Sequence, residues 1–185
     1  MSSAPEVRRT DRLLSEQDTL ALVEQGFSGV LATVGPDGYP YAVPLLHVWM
    51  NGKIYVHSTA ALGHLRSNVD HESRVCFTVD QPGEIFAYGR FECDTSVSYS
   101  SAITFGRIAV VNDNEEKANF CDALMAKYGE KEWDRPEGFY PRLNQITVYA
   151  IEVERMTGKF IPLPQVSEQW PAFDRSASPN ATPPD

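Results

Sequence analysis

A histidine and two hydroxyl side chains stand together in the sequence, at His57, Ser58 and Thr59. They end a stretch of strand-like residues, and a short helical pattern that begins near Gly63 follows them. Hydroxyls and free amides at a helix N-terminus can bind a phosphate, because the donors converge there and the helix dipole favours an anion. Two nearby side chains could add positive charge: His64 and Arg66. From these residues alone, the simpler interpretation is that Ser58 or Thr59 caps the helix.

Other types of catalytic or metal site find little support in the sequence. The four histidines have no HExxH pattern and no carboxylate at ligand spacing, so we predict no metal site. No GxSxG, GxGxxG or GxxxxGK(S/T) pattern occurs, which disfavours a serine hydrolase, a Rossmann site and a P-loop. Cys76 and Cys121 lie in apolar patterns, and we interpret them as small core residues rather than nucleophiles.

The composition of the 185-residue chain is that of one acidic globular domain. A formal charge of −9 and a pI near 4.9 argue against a nucleic-acid-binding protein, which usually carries a basic patch. No apolar run approaches the roughly 18 residues that a membrane-spanning helix needs. The N-terminal segment is charged where a secretion signal would be apolar, and three cysteines without CxxC spacing disfavour disulfides. We therefore expect a cytoplasmic protein without a membrane or nucleic-acid partner.

The first half of the chain is predicted to form a helix and a set of antiparallel strands. Ser15, with Asp18 three residues later, starts a short helix that Gly26 ends. Strands are expected over 29–34, 39–49 and 53–57, with the turn sequences GPDG and Asn51-Gly52 between them. The middle strand contains Pro40 and Pro44, so it should lie at an edge or be kinked. These three strands are predicted to form a meander.

The second half combines helices and strands with two irregular segments. Helices are expected over 60–70 and 115–128, and strands over 74–79, 101–111 and 145–156. The last strand has apolar residues on both faces, which suits a barrel strand that closes the sheet. Residues 80–97 are predicted to be an inserted loop or hairpin, and the aromatic run Trp170–Phe173 should dock somewhere.

Six strands and three helices predict a mainly β protein, an antiparallel barrel with helices packed outside. We divide the chain into an N-terminal arm (1–14), a barrel domain (15–160) and a C-terminal extension (161–185). The extension is expected to be flexible from about residue 174, because proline, serine and asparagine replace apolar periodicity there.

Five motifs in the chain, the first of them in the run GVLATVGPDGYPYAVPL, resemble the FMN-binding split-barrel proteins related to pyridoxamine 5′-phosphate oxidase. Within that superfamily the chain is most similar to the branch that contains the nitroimidazole-resistance (Nim) flavoproteins. The branch pattern has a D-G-x-P-x-x-x-P hairpin, an aromatic-x-H-(S/G/C)-(A/T) strand end, a glycine in the next helix, and strands R-V-C-F-x-V and Y-x-S-(A/V)-x-x-x-G. The matching residues are Asp37–Pro44, Tyr55–Thr59, Gly63, Arg74–Val79 and Tyr99–Gly106.

The resemblance implies a six-stranded antiparallel split β-barrel of the FMN-binding type, present as a homodimer with two FMN sites at the subunit interface. One group of residues would line the isoalloxazine ring through its backbone: Val43, Pro44 and Leu45. A second group would surround the ribityl phosphate or the ring edge: His57, Ser58, Thr59, Gly63, His64 and Arg66. Tyr99 and Ser101 would contribute from one of the two subunits. The phosphate-binding interpretation of Ser58 and Thr59 is therefore preferred over a helix cap.

The resemblance also implies an activity. We expect an FMN-dependent oxidoreductase that passes electrons from NADH or NADPH to a small organic acceptor, with His57 donating a proton or hydrogen bond. One alternative is a binding module without turnover that holds FMN or another planar cofactor, such as haem or a deazaflavin. Pyridoxamine 5′-phosphate oxidase itself is a weaker alternative, because no second cluster of arginine and lysine is visible for a substrate phosphate.

One position departs from the pattern of the family. Many relatives have a lysine two residues after the helix glycine, where it can pair with the phosphate, and this chain has Leu65. The spacing from His57 to Gly63 is also one residue longer than is common. His64 and Arg66 flank Leu65 and could compensate, because a guanidinium can bind a phosphate with two hydrogen bonds.

Overall fold

The computed structural model describes residues 7–130, 133–136 and 138–176, which contain three α-helices and seven strands. The helices are α1 (Glu16–Gln25), α2 (His64–His71) and α3 (Asn114–Tyr128). The strands are β1 (Gly29–Val34), β2 (Pro40–Leu45), β3 (His47–Met50), β4 (Lys53–Thr59), β5 (Arg74–Ala87), β6 (Thr95–Val110) and β7 (Ile146–Ile161). Short 3₁₀ turns cover Thr10–Arg12, Leu143–Gln145 and Val166–Glu168. In this described part of the chain, no helix is long and apolar enough to cross a membrane.

The seven strands form one antiparallel sheet in the order β2-β1-β5-β6-β7-β4-β3. β2 and β3 occupy opposite ends of this order, although only Leu46 separates them in the chain. A flat sheet would hold its outermost strands about 29 Å apart, so one connecting residue requires the sheet to curl round on itself. The predicted mainly β, split-barrel fold is confirmed, with seven strands instead of six.

The predicted strand over 39–49 is two strands, and the predicted meander is wrong. β2 pairs only with β1, and β3 pairs only with β4, so the chain leaves one hairpin at Leu45 and enters the next at His47. Pro40 and Pro44 both lie on β2, where the lack of an amide hydrogen is tolerated because β2 has a partner on one side only.

The barrel interior is filled by alternate side chains of the strands. Its largest fully buried members include Leu31, Ile54, Val56, Phe77, Tyr149 and Ile151. Leu22 and Val23 of α1 and Leu65 and Val69 of α2 belong to the same cluster, so both helices help to seal the barrel. Helix α1 begins and ends as the sequence predicts. The Asp18 amide donates to Ser15 Oγ at 3.0 Å, and Gly26 follows the last turn.

Helix α3 covers part of the outer face of the barrel. Phe120 on this helix is fully buried and forms a second apolar cluster with Tyr55 and Val148. β7 does not close the sheet as predicted, because it lies between β6 and β4. Its apolar residues on both faces have a different reason: Tyr149 points into the barrel, and Val148 packs under α3.

The hairpin alternative for residues 80–97 is the one observed. This segment extends β5 and β6 beyond the barrel as far as Ala87 and Thr95, with a register shift between Pro82 and Ile85. The C-terminal extension lies against this hairpin. The Trp170 amide donates to the Ala87 carbonyl at 3.0 Å, so the aromatic run does dock.

Two polar contacts hold the end of the described chain against the same hairpin. Arg90 Nε donates to Asp174 Oδ2 at 2.8 Å, and Ser176 Oγ donates to Asp94 Oδ2 at 2.9 Å. The tail predicted to be flexible from about residue 174 is therefore hydrogen-bonded at its first three positions. The remainder of that prediction, residues 177–185, lies outside the described residues.

Candidate functional site

A gap in the barrel separates β2 from the end of β4. β3 begins at His47, which pairs with Val56, so the last three residues of β4 have β7 as a neighbour but no strand on the other side. β2 also has an unpaired edge. The two free edges start together at Leu46 and diverge from there. We call this gap, between β2 and His57–Thr59, the split.

The residues predicted to line the isoalloxazine ring lie on the β2 side of the split. The side chains of Val43 and Leu45 pack against the barrel core, and Pro44 between them is exposed on the outer face. Pro44 also has no amide hydrogen to offer. The register directs the backbone groups of Val43 and Leu45 to β1, so the free edge presents those of Ala42 and the Pro44 carbonyl. The prediction that residues 43–45 line a ring remains a prediction.

The two predicted hydroxyl residues differ in their surroundings. Ser58 Oγ donates to the Thr59 carbonyl at 3.0 Å and lies 3.2 Å from the Tyr149 hydroxyl, whereas Thr59 is exposed. Neither residue caps α2, so the cap interpretation is wrong. The helix N-cap is Gly63, which has no side chain to accept a hydrogen bond. The first amides of α2 therefore have no side-chain acceptor.

The first turn of α2 brings together the other predicted phosphate ligands. His64 is exposed and its ring stacks on Tyr41 of β2, with the centroids 5.5 Å apart. Arg66 Nε lies 2.9 Å from both carboxylate oxygens of Asp70, so its charge is already paired. A shallow hollow of about 590 Å³ opens beside this turn and includes Gly63, His64 and Ser67.

Leu65, the departure from the family pattern, has a structural explanation. Its side chain is only 8% exposed and belongs to the barrel core, beside Val69 of the next turn. A lysine at this position would have to leave the core to reach the hollow. The chain therefore uses position 65 for packing, and His64 is the exposed cationic candidate of the first turn.

His57 faces the opposite side of β4 from Ser58. Its ring centroid lies 5.5 Å from that of Phe120 on α3, and its Nδ1 atom is buried without a hydrogen-bond partner among the described residues. Burial lowers the pKa of His57 below its ordinary value, so the ring is neutral at pH 7. A neutral imidazole can accept or donate one hydrogen bond or ligate a metal centre.

The His57 ring lines a cavity of about 970 Å³ between β4, α3 and the segment that follows α3. We call it the α3 cavity. Its apolar walls include Phe120, Leu124, Met125, Trp133, Phe139 and Ile146, and two arginines also line it, Arg135 and Arg142. No sequence pattern described above indicates this wall. The available signal was the aromatic and arginine-rich stretch directly after the α3 helix, which stands far from His57 in the chain.

Tyr99 and Ser101 are not brought to the split of their own chain. Both lie on the outer face of β6, which is three strands from β2, about 14 Å across a sheet. Ser101 pairs with Asp80 and Lys159, and Tyr99 pairs with Ile161 near the far end of β7. The sequence predicts that Tyr99 and Ser101 contribute from one of the two subunits, and only a contribution to the split of the other subunit remains compatible with this position.

The outer face of β1, β5 and β6 exposes several apolar side chains. The register places Val30 beside Thr78 and Thr78 beside Ile103, and the next row contains Ala32, Cys76 and Phe105. Val30, Val34, Ile103 and Phe105 are each more than a third exposed. We call these four residues and their row neighbours the outer sheet face.

The remaining histidines have other surroundings. His47 is fully buried, and its Nε2–H donates to the Val23 carbonyl at 2.7 Å. Burial lowers the pKa of His47 to about 4. His71 ends α2 and is exposed. In the described part of the chain, no three residues among histidine, cysteine, aspartate and glutamate form a group that could hold a metal ion.

Comparison with known proteins identifies the class to which this barrel and its split belong. The family model described as pyridoxamine 5′-phosphate oxidase matches residues 15–160. The chain therefore belongs to this family, the superfamily that its sequence motifs predict. Comparison with curated proteins gives no significant match.

Solved structures support the same class. A candidate 5-nitroimidazole antibiotic resistance protein from Bacteroides thetaiotaomicron is 25% identical, with a TM-score of 0.67 over 80% of this chain and 86% of that chain. The flavocytochrome Anf3 from Azotobacter vinelandii has a TM-score of 0.72 at 16% identity and covers 97% of this chain and 92% of its own. A FAD and haem binding protein from Mycobacterium smegmatis has a TM-score of 0.66 at 18% identity, covering 83% and 76%. The last two show the fold alone.

Proposed function

We propose that the protein is an FMN-dependent oxidoreductase that binds its cofactor in the split, with the phosphate at the start of α2. The observation that carries this proposal is the position of the uncapped α2 N-terminus, which the Tyr41–His64 stack holds against the free-edge strand β2. Membership of the pyridoxamine 5′-phosphate oxidase family supports a flavin as the ligand. The flavin and haem proteins among the structural neighbours have the same fold.

The residues of the split fit the phosphate through hydrogen bonds more than through charge. The amides of the first α2 turn and the exposed Thr59 hydroxyl are available as donors. Arg66 is paired with Asp70, and Leu65 is buried, so the exposed His64 is the main side chain that can add positive charge. FMN binding in this chain should therefore depend on the helix amides and on His64.

The chain's own groups would have distinct tasks around the ring. When bound, FMN supplies hydride and electron transfer, and the protein supplies orientation and a site from which water is excluded. Unpaired backbone groups on the free edge of β2, those of Ala42 and the Pro44 carbonyl, would orient the polar edge of the ring. His57 faces the α3 cavity, on the opposite side of β4 from Ser58, so it would hold a proton or hydrogen bond for a molecule in that cavity, where its neutral state at pH 7 lets it act in either direction.

The proposed active form is a homodimer that covers the outer sheet face. A sheet face with four partly exposed large apolar residues is a favourable surface for a second copy. In such a dimer, Tyr99 and Ser101 of one subunit could reach the split of the other, which one chain alone does not allow. We propose NADH or NADPH as the donor and a small organic molecule as the acceptor. A reducing cytoplasm supplies such donors, and the three cysteines are unpaired.

Spectroscopy on the purified full-length protein tests the proposal. We expect flavin absorbance after purification or after reconstitution with FMN, and bleaching of that absorbance when NADPH or NADH is added without oxygen. Absence of flavin bands after reconstitution would contradict flavin binding. Bound flavin that neither donor reduces would instead support the binding module without turnover.

The α3 cavity favours a second candidate, a haem-binding module. A neutral imidazole with a buried, unpartnered Nδ1 lies at the wall of a largely apolar cavity, and Arg135 and Arg142 could pair with the carboxylates of a planar macrocycle. Titration with hemin should then give a shifted Soret band that His57→Ala abolishes and His64→Ala leaves unchanged. An unshifted band, or one that is the same in His57→Ala, would exclude this candidate.

A further inference from the structure

A second cavity lies between the N-terminal arm, the β5–β6 hairpin and the C-terminal extension. Its volume is about 680 Å³, and it shares no lining residue with the α3 cavity or with the hollow at α2. Aromatic and cationic side chains dominate its walls: Phe86, Tyr88, Phe160, Arg9, Arg12 and Arg175. We call it the arginine pocket.

Backbone hydrogen bonds fix both terminal segments that form the arginine pocket. At the N-terminal side, the Leu14 amide donates to the Gly158 carbonyl at 3.0 Å, and Leu13 forms a bridge with Lys159. At the C-terminal side, the Arg175 amide donates to the Tyr88 carbonyl at 2.7 Å. The arginines therefore project from segments held against the sheet, which lowers the conformational entropy that a ligand would have to overcome.

The charge in the arginine pocket is opposite to that of the whole chain. The formal charge of the protein is −9, whereas among the described residues the pocket is lined by three arginines and a single carboxylate, Asp11. Arg9 Nε donates to Asp11 at 2.8 Å, so these two charges cancel. Arg12 has no ion-pair partner among the described residues. Arg175 forms a long ion pair with Glu168, with Nη2 3.8 Å from Oε1 and no hydrogen bond between the two side chains. An anion can thus bind the unpaired Arg12 and compete with Glu168 for Arg175.

We propose that the arginine pocket binds a nucleotide, with its phosphates on Arg12 and Arg175 and its planar base against the aromatic wall. The Phe160 ring is 38% exposed, and Tyr88 is half-buried, so part of this wall is open to a ligand. Planar bases stack on aromatic rings, and guanidinium groups bind phosphate with two parallel hydrogen bonds. The volume lies within the range of about 300–1,000 Å³ that is typical of small-molecule sites. The site does not depend on the flavin proposal, because the two share no lining residue.

Calorimetric titration of the full-length protein with ADP tests this inference. ADP should bind, and Arg12→Gln and Arg175→Gln should each weaken its binding about tenfold, since a hydrogen bond to a charged group contributes roughly 1.5–3 kcal/mol. Arg74→Gln is the matched control, because Arg74 is exposed, pairs with Glu72 and does not line the pocket. Its affinity for ADP should equal that of the wild type.

A second ligand and one further variant test the class of the occupant. Pyrophosphate should bind more weakly than ADP. Phe160→Leu should lower the affinity for ADP and leave the affinity for pyrophosphate unchanged. The inference is overturned if ADP does not bind, if the arginine variants bind it as the wild type does, or if pyrophosphate binds as tightly as ADP. Thermal melting shows that each variant is folded, and flavin absorbance reports separately on the split.

Discussion

Tyr41 on β2 and His64 on the first turn of α2 stack with their ring centroids 5.5 Å apart and their planes 21° from parallel. The contact joins a strand that has one free edge to a helix start that has no side-chain cap. It therefore keeps the first amides of α2 beside the split. His64 remains exposed in this arrangement, so it is both positioned by Tyr41 and accessible to an anion.

The effect of introducing the family's lysine on stability and FMN binding should depend strongly on the position at which it is placed. Leu65→Lys should lower the free energy of unfolding by about 3 kcal/mol, because it removes an apolar side chain from the core and introduces a charge there. His64→Lys should leave stability nearly unchanged and tighten FMN binding, because position 64 is exposed at the same helix start and a lysine there can keep a contact with the Tyr41 ring through a cation–π interaction. Urea unfolding and FMN titration of both variants check this pair. Tighter FMN binding by a stable Leu65→Lys protein would contradict the placement of position 65.

His47 should make the protein less stable in mild acid. Burial lowers the pKa of His47 to about 4, whereas the unfolded chain binds a proton near its ordinary value of about 6.5. Above pH 6.5 both states are neutral and His47 contributes nothing. As the pH falls from 6.5 to 4, only the unfolded state gains the proton, so the free energy of unfolding should fall by roughly 3 kcal/mol.

Chemical unfolding at several pH values measures the contribution of His47 as a difference between variants. His47→Gln keeps a donor for the Val23 carbonyl and cannot titrate, so its stability should fall less between pH 6.5 and 4 than that of the wild type. His71→Gln is the exposed control and should follow the wild type. Equal slopes for His47→Gln and the wild type would contradict a lowered pKa of His47 in the folded protein.

The hydroxyl of Tyr128 should stabilise the junction between β2 and β3. It accepts from the His47 amide at 3.2 Å and lies 2.8 Å from the carbonyls of His47 and Phe27, to one of which it donates. Tyr128→Phe should lower the free energy of unfolding by about 1–2 kcal/mol, because partly buried backbone groups of His47 lose a partner. Tyr39→Phe removes an exposed hydroxyl and should have no effect beyond experimental error. Thermal or urea unfolding compares the two, and equal stability would contradict the role of Tyr128.

A charge on the outer sheet face should separate the proposed dimer. Phe105→Asp places a carboxylate in the apolar row with Ala32 and Cys76, where a second copy would have to desolvate it. Sedimentation velocity should show a dimer for the wild type and a monomer for the variant. Val166→Asp, at an apolar residue of the C-terminal extension that is even more exposed than Phe105, should remain a dimer. A dimeric Phe105→Asp protein would place the interface elsewhere.

Local signals in the sequence were sufficient for the helices and tight turns. Ser15 and Gly26 bound α1 as predicted, because a cap and a helix-ending glycine act within one turn. Asn51-Gly52 forms the expected hairpin turn, with φ values of 52° and 76° that asparagine and glycine tolerate best. The family motifs then supplied the barrel, which no local pattern specifies.

Long-range relationships were not predictable in the same way. The order of the strands depends on the change of direction at Leu46, which the continuous strand pattern of residues 39–49 conceals. His57 was recognised, but its partner Phe120 and the rest of the α3 cavity come from a segment far along the chain. Arg12 and Arg175 stand at opposite ends of the sequence, so the second basic cluster becomes visible only after folding.

A comparison of FMN with riboflavin is the most direct test of the central claim, that the α2 N-terminus binds the phosphate of a flavin in the split. Riboflavin has the same ring and no phosphate. We predict that the wild type binds FMN at least about tenfold more tightly than riboflavin, from the hydrogen bonds to the charged phosphate. His64→Lys should increase the ratio of the affinity for FMN to that for riboflavin, because it strengthens the binding of FMN alone. Equal affinities for FMN and riboflavin, or a ratio that His64→Lys does not change, would contradict the claim.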